Sequence, residues 1–385
     1  MKKKLLALAV AGAFVAPVAM ADTANVQIYG AANVSFDSTD NNPNGGNGTR
    51  ASKVSSNGSH IGFKGSESLG GGTSAIWQIE TAVGVDNSGA TGQGFGTRNT
   101  FAGLKGEGWG SLVLGRTDNA YKAATRRLDL FDETLGDNRS LLGSTATDTA
   151  GVMTGFDARN SDSANYTSPN MSGFSAAVTV LAGAEGATTG AQKKGTGYAL
   201  AGMYDAGPVY ATLAYASLKS GDAPGTLLNT TTGIALDKTS TAWKLGGGYK
   251  VDQFAVNAVF ERFRDENGGG IGNCAGVAAG SDCMGHNTFY LAGQYNVTAS
   301  DAVKLAYARA GNVKAASNTS ARQITVGYDH AMSKRTSVYA LYTKLRNDTL
   351  ASYGIAGGEI ESTGVVAGVA NSSPSALSLG MKHTF

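Results

Sequence analysis

The stretch Ser375-Ala-Leu-Ser-Leu-Gly-Met-Lys-His-Thr-Phe385 indicates the fold class of this chain. In an extended segment successive side chains point to opposite sides. Leu377, Leu379, Met381 and Phe385 therefore share one face, and the residues between them are small or polar. One apolar and one polar face is the pattern of a strand that has lipid on one side and water on the other.

The same period of two recurs along the chain, for example where Val303, Leu305 and Tyr307 alternate with Lys304 and Ala306. We expect an all-β fold, a closed antiparallel transmembrane β-barrel of sixteen strands. An even number of strands lets an antiparallel barrel close without leaving an edge in lipid. The predicted strands cover residues 24–38, 57–68, 73–87, 97–106, 111–117, 162–169, 173–183, 196–205, 208–220, 239–250, 253–264, 286–296, 301–311, 319–330, 336–346 and 375–385. In the strand at 253–264 alternation is imperfect, and we expect the apolar register to slip between Phe254 and Arg264.

The connections between these strands alternate in length. Short turns such as 69–72 and 330–335 alternate with long segments rich in Gly, Asn, Ser and Asp, such as 40–56 and 347–373. Bacterial barrels have short turns on the periplasmic side and long loops outside. A soluble β-sandwich, the main alternative for many short strands, does not require this alternation.

The N-terminus predicts export from the cytoplasm. Three lysines at 2–4 precede an apolar run from Leu5 to Val18, and Ala19-Met20-Ala21 follows. We interpret residues 1–21 as a signal peptide and residues 22–385 as a single barrel domain. A retained membrane anchor is the alternative for this segment. No later stretch approaches the roughly 20 apolar residues that a spanning helix needs.

Composition agrees with a strand-rich exported protein and argues against nucleic-acid binding. The chain has 55 Gly and 6 Pro, which suits many strands joined by tight turns. Without the three N-terminal lysines it carries 28 Lys and Arg against 29 Asp and Glu, a net charge of about −1. A nucleic-acid partner would favour a basic surface.

The two cysteines, Cys274 and Cys283, predict one disulfide within a loop, because an exported protein folds in an oxidising compartment. Two free thiols are the alternative. A metal site is a weaker hypothesis, since only His286 lies near the cysteines and zinc prefers four ligands. We expect no metal and no cofactor.

Short motifs distributed over the chain make it resemble the general porins of β-proteobacteria, the family of the neisserial and Burkholderia-type porins. Each motif is weak alone, but their shared order along the chain is specific. The motifs are Val26-Gln-Ile-Tyr-Gly30, Ser59-His-Ile-Gly-Phe-Lys-Gly65, Leu69-Gly-Gly-Gly72, Ala75-Ile-Trp-Gln-Ile-Glu80, Gly103-Leu-Lys-Gly106, Leu114-Gly-Arg116, Arg159-Asn160, Tyr166-Thr-Ser-Pro169, Gly173-Phe174, Val326-Gly-Tyr328, Ser333-Lys-Arg-Thr336 and His383-Thr-Phe385.

This resemblance implies a homotrimeric channel in the outer membrane of a Gram-negative bacterium, in contact with membrane lipid and lipopolysaccharide. Such a channel passes ions and small hydrophilic solutes by passive diffusion and is not an enzyme. The resemblance also implies that the third external loop, residues 117–164, folds into the barrel and narrows the pore. Within this loop Ala124, Leu128, Phe131 and Leu135 recur at helical spacing before Gly136, which predicts a short helix. A disordered external loop is the alternative.

The candidate site is a set of charged side chains around the predicted constriction. The resemblance implies that Arg116 lines it, and that His60 stands where related porins often carry an arginine. A histidine there would respond to pH near neutrality. Alternation predicts that Lys64, Lys244, Lys304, Lys382 and Glu80 also point inward. The predicted constriction residues are Arg116, His60, Lys64, Arg126, Arg127, Asp129, Asp132 and Glu133.

A basic wall facing an acidic loop predicts a weak preference for anions. A channel specific for one substrate is the alternative function. An outer-membrane protease or lipase would require clustered His, Asp or Ser, and the four histidines, at 60, 286, 330 and 383, are scattered. An adhesin would have no need of a long inward loop.

Overall fold

The computed structural model describes residues 26–42, 48–85, 94–143, 156–183, 194–221, 239–265, 281–355 and 369–385. The predicted signal peptide, residues 1–21, and Cys274 lie outside these ranges. Among the described helices, none is long and apolar enough to cross a membrane.

Nearly all regular structure is antiparallel sheet. The strands are β1 (Gln27–Asp40), β2 (Arg50–Ser56), β3 (His60–Gly70), β4 (Thr73–Ala82), β5 (Thr100–Gly106), β6 (Gly110–Asp118), β7 (Arg159–Thr167), β8 (Phe174–Leu181), β9 (Lys194–Ala206), β10 (Val209–Gly221), β11 (Thr239–Val251), β12 (Phe254–Asp265), β13 (Asn287–Asn296), β14 (Asp301–Ala310), β15 (Ala321–Ala331), β16 (Thr336–Asn347) and β17 (Ser375–Thr384). Between β6 and β7 the described residues contain one α-helix, α1 (Ala120–Arg126), and one 3₁₀ turn (Asn138–Ser140).

These seventeen segments make sixteen barrel strands, because β2 and β3 are two parts of one strand. Both pair with β1, β2 along its second half and β3 along its first half. The interruption falls at Asn57–Ser59, where Gly58 has a φ of +70°. Sixteen strands were predicted, but the second one begins at Arg50 and not near residue 57.

The barrel closes between the first and last strands. Residues from Ala31 to Asp40 of β1 pair with residues from Ser375 to Thr384 of β17. Beyond the ladder, Gly30 and Phe385 exchange two backbone hydrogen bonds, of 3.1 and 3.0 Å between N and O. The C-terminal strand from which the fold was inferred therefore forms the seam of the barrel.

The outward face carries the apolar residues that alternation predicted. Leu305, Ile324 and Val326 are each at least half exposed on the isolated chain. Lipid is the medium that suits such a face. The predicted slip in the strand at 253–264 is wrong, because β12 pairs with β11 without a break from Phe254 to Asp265. Val259 and Phe263 point inward and are buried, since an inner segment of the chain covers them.

Candidate functional site

Part of the connection between β6 and β7 lies inside the barrel. Its residues contact inward-facing side chains on strands from β8 round to β1, which a segment outside the barrel cannot do. We call residues 119–143 together with 156–158 the inner segment. It begins at Asn119, whose side chain accepts a 2.8 Å hydrogen bond from the Lys122 amide and caps α1.

Helix α1 packs against a wall of small side chains. Tyr121 and Ala124 are fully buried in one cluster, and the alanines beneath them lie on neighbouring strands at positions 177, 199, 201, 214, 216 and 242. The Tyr210 hydroxyl donates a 2.6 Å hydrogen bond to the Ala124 carbonyl. Small inward residues on β8–β11 therefore make room for the helix.

Further along, the inner segment is held by β11, β12 and β13. Asn257 donates from Nδ2 to the Leu128 carbonyl at 2.9 Å. The Tyr290 hydroxyl donates to Asp129 Oδ1 at 3.0 Å and accepts from the Leu130 amide at 3.1 Å. Leu128 packs so closely on Gly246 that a Cβ there would lie 2.6 Å from its Cδ1.

Phe131 and Leu130 attach the segment to β14 and β15. The Lys304 ammonium donates to the Leu130 carbonyl at 3.1 Å and pairs with Asp329. A Cβ on Gly327 would lie 2.6 Å from Phe131 Cε1, so the absence of a side chain makes space for this ring.

Glu133 attaches the inner segment to the seam of the barrel, where β1 pairs with β17. Its carbonyl accepts a 2.9 Å hydrogen bond from Asn33 Nδ2 on β1, and its carboxylate pairs with Lys382 of β17 at 2.7 Å. Arg98 Nη2 lies 3.6 Å from the same carboxylate and Arg98 Nε lies 2.6 Å from Glu80. The inner segment therefore contacts the wall from β8 round to β1. The wall formed by β3–β6 faces the lumen, and we call it the open wall.

The turn after α1 contains a buried charge cluster centred on Arg126. Arg126 pairs with Asp137 at 3.1 Å, approaches Asp129 to 3.7 Å and contacts Asp132. Burial together with the neighbouring Asp137 carboxylate raises the pKa of Asp129 to about 6. Burial acts on Asp137 in the same direction, but Arg126 and Arg139 outweigh it and hold the pKa of Asp137 well below its usual range.

A second buried cluster fixes the helix to β11 and β12. Lys244 pairs with Asp157, and its ammonium lies 3.5 Å from Glu261 and 4.3 Å from the centroid of the Tyr121 ring. The Tyr121 hydroxyl donates to Glu261 at 2.6 Å. Removing one member would leave the others buried and unpaired, so this cluster is structural.

Several of the predicted constriction residues lie on the inner segment or face it. Arg126, Asp129, Asp132 and Glu133 belong to the clusters described above. Arg127 pairs with Asp205 at the periplasmic end of β9, and its guanidinium lies 4.2 Å from the Tyr210 ring centroid.

On the open wall, register places His60 opposite Ala31 and Lys64 opposite Gln27, on the lumen side of β3. The His60 ring contacts the Gly58 carbonyl through Nδ1 at 2.8 Å. The Lys64 ammonium lies 4.8 Å from the Tyr29 ring centroid. Lys105, which was not among the predicted site residues, pairs with Ser74 and Ser111 and is exposed on the same side of this wall.

Arg116 is placed differently from the expectation. It pairs with Thr100, on the side of β6 that carries the exposed residues Leu112 and Leu114. Its guanidinium donates to the Thr97 carbonyl and to Ser161 Oγ, both at 3.0 Å. This outward register does not support Arg116 as a lining residue of the constriction. The arginine that meets the inner segment is Arg98.

Alternation alone did not find Arg98, because this residue precedes the first residue of β5, Thr100, and so lies outside a regular strand. The backbone also bends at Arg98 and Asn99, just before β5. A charged residue at a bend is a weak signal for a pore wall in any single sequence.

Cys283 forms a disulfide, and the described residues contain no free cysteine. Its predicted partner, Cys274, lies outside the described residues. The ring of His286 nearby is buried, and this burial lowers its pKa to about 4.

A closed antiparallel barrel with an apolar outer face and a segment folded into a polar interior defines a channel of the outer membrane. Residues 7–350 match the family model described as Gram-negative porin. The major outer membrane protein P.IA of Neisseria meningitidis is 30% identical over 347 residues, which cover 77% of this chain and 78% of that protein. Outer membrane porin protein 32 of Delftia acidovorans is 29% identical over 100% of both chains. The chain belongs to the Gram-negative porin family, as the resemblance implied.

Solved structures agree on the fold. An anion-selective porin from Comamonas acidovorans superposes with a TM-score of 0.71 at 24% identity, covering 94% of this chain and 100% of that one. A trimer form of OmpT from Vibrio cholerae gives a TM-score of 0.62 at 13% identity, covering 94% of this chain and 100% of that one. The protein is thus an outer-membrane porin with a sixteen-stranded barrel.

Proposed function

We propose that this porin is a homotrimeric diffusion channel whose inner segment sets the size limit and whose open wall gives a weak preference for anions. The observation that carries the proposal is the path of the inner segment, which is fixed to the wall from β8 round to β1. Water and solutes then pass between this segment and the strands β3–β6. A shaped opening with fixed wall charges is sufficient for diffusion, and no catalytic group is required.

The charge balance supports the anion preference, although different lysines supply the excess charge from most of those counted as inward in the sequence. Most acids of the inner segment are paired, Asp137 with Arg126 and Arg139, and Glu133 with Lys382. Three of the inward lysines counted from the sequence are paired as well, at positions 244, 304 and 382. Lys64 and Lys105 remain exposed on the open wall, with no acid partner among the described residues. Their charge is the excess that an anion meets.

The known behaviour of a similar protein agrees with this sign, since the Comamonas porin is described as anion-selective. A substrate-specific channel, the alternative, would carry an aromatic track along the lumen. Of the described aromatic side chains on the inner side, Tyr121, Phe131 and Tyr290 are instead buried between the segment and the wall, and Tyr29 lies beside Lys64. The described residues therefore favour a general diffusion channel.

The reversal potential of the purified channel in a KCl gradient tests the preference. We expect a reversal potential that indicates weak anion selectivity and that moves toward cations in Lys64→Gln/Lys105→Gln. The anion preference should also become smaller at high salt, because ions screen the wall charges. Lys344→Gln is the matched control, since Lys344 is exposed on the outward face of β16. A cation-selective native channel, or a double variant with an unchanged potential, would contradict the proposal.

A further inference from the structure

A row of three arginines crosses the outer surface of the barrel. Arg309 of β14 pairs directly with Arg322 of β15, and Arg322 pairs directly with Arg346 of β16. All three are exposed and none has an ion-pair or hydrogen-bond partner within the described ranges. Like charges opposite each other on neighbouring strands destabilise a sheet. An arrangement with this cost points to an anion that neutralises it.

The position of the row relative to the membrane follows from the ladder. Arg309 and Arg322 share the outward face with Tyr307 and Ile324, which lie one outward position nearer the periplasmic turns. Beyond the row the chain leaves the sheet for the loops after β14 and β16. The arginines therefore stand at the outer border of the apolar band, at the height of the headgroups in the outer leaflet.

The row also lines a cavity of about 530 Å³, large enough for a headgroup. Arg309, Arg322 and Arg346 share its wall with Asn318 and Ser320 on one side and with Asn371 on the other. Among the described lining residues Asp348 is the one acid, and its carboxylate accepts a hydrogen bond from the Ser320 hydroxyl. The cavity thus offers three guanidinium groups and several neutral donors against one carboxylate.

We propose that this cavity, with Arg309, Arg322 and Arg346, binds a phosphate group of the phosphorylated glycolipid in the outer leaflet. Guanidinium groups present paired N–H donors whose spacing matches phosphate oxygens, and such charge-assisted hydrogen bonds are strong. The acyl chains of the same lipid would lie along Tyr307 and Ile324 and the apolar band below. Lys344 is on the outward face one row nearer that band and adds a fourth positive charge. Charge and membrane height together favour a lipid headgroup over a free anion.

The test is binding of bisphosphorylated lipid A to the purified, delipidated porin in detergent. We expect Arg309→Gln/Arg322→Gln/Arg346→Gln to weaken binding at least about tenfold, as loss of charge-assisted bonds implies. Arg309→Lys/Arg322→Lys/Arg346→Lys keeps the positive charges but loses the paired guanidinium N–H donors. Its affinity for lipid A should therefore lie between those of the native protein and the glutamine variant. Lys219→Gln/Arg262→Gln/Arg264→Gln is the matched control, since it removes three outward charges from β10 and β12 and should bind like the native protein.

Two further probes, dephosphorylated lipid A and inorganic phosphate, distinguish a lipid headgroup from free phosphate as the ligand. Heat-modified gel mobility confirms that each variant forms the barrel. Dephosphorylated lipid A should bind the native protein as weakly as lipid A binds the glutamine variant, and equimolar inorganic phosphate should not displace lipid A. The proposal fails if the glutamine variant binds lipid A within about twofold of the native protein, or if inorganic phosphate competes fully. It also fails if the glutamine variant loses its oligomeric state in lipid-free detergent while the lysine variant keeps it, because the row would then serve a contact between subunits.

Discussion

The Asp129 carboxyl, buried beside Arg126, changes charge at a pH that a conductance experiment reaches easily. Its pKa is raised to about 6 by burial and by the Asp137 carboxylate. The protonated form is therefore favoured in the folded channel below about pH 6, and this contribution to stability is lost as the pH rises through that value. Lowering the pH from 7.5 to 5 should neutralise Asp129 and move the reversal potential toward anions, with a midpoint near 6.

Asp129→Asn should remove this step from the pH profile of the reversal potential. Asp132→Asn is the control, because Asp132 belongs to the same cluster but its side chain is 40% exposed. His60→Gln, measured alongside, separates any contribution of the open wall. A step of unchanged size in Asp129→Asn would show that another group titrates.

The absence of a side chain at Gly246 allows Leu128 of the inner segment to pack directly against β11. An added Cβ would lie 2.6 Å from Leu128 Cδ1 and 3.0 Å from Thr212 Cγ2, so Gly246→Ala should displace Leu128. We expect a loss of about 1–3 kcal/mol in stability, typical of overpacking, and a smaller conductance, because the inner segment is pushed off β11 towards β3–β6. Gly247→Ala on the same strand is the control, since its nearest neighbour would be 3.8 Å away. Equal melting temperatures and conductances for the two variants would argue against tight packing here.

Arg98 and Arg116 show where reading single residues from sequence stops. Inward lysines such as Lys304 and Lys382 were placed correctly, because each lies within a regular strand where alternation holds. Arg116 was expected in the constriction from the resemblance, but it continues the outward side of Leu112 and Leu114. Arg98 lies at a bend outside the strands, where the period of two does not apply. Their positions depend on the three-dimensional path of the chain, which a local pattern does not contain.

The strands could be predicted from the sequence, whereas the path of the inner segment could not. Strands were predicted to within a few residues, except that the second began too late, because lipid on one side and water on the other impose alternation on every strand. The helix was expected to extend to Leu135, yet α1 ends at Arg126 and Leu128, Phe131 and Leu135 reach the wall from turns. Contacts with Gly246, Gly327 and Tyr290 hold these turns, and none of them is local in sequence.

Deleting residues 123–136 tests whether the inner segment as a unit narrows the pore. The deletion removes the contacts of Leu128, Phe131 and Glu133 and should widen the path between β8–β17 and the open wall. We expect a higher single-channel conductance and faster uptake of larger sugars by liposomes that contain the variant. Heat-modified gel mobility checks that the barrel has formed. Unchanged rates for a graded series of sugars would show that the segment does not set the size limit.

The number of pores in one particle tests the assembly of the whole protein. The barrel closes on itself through β1 and β17, so each chain should hold a complete pore and a trimer should conduct through three independent channels. Under high voltage a reconstituted trimer should therefore close in three steps of equal conductance. Unboiled samples should migrate well above boiled ones on denaturing gels, and light scattering in detergent should give about three times the mass of the chain. A single closing step together with the mass of one chain would show that the porin functions as a monomer.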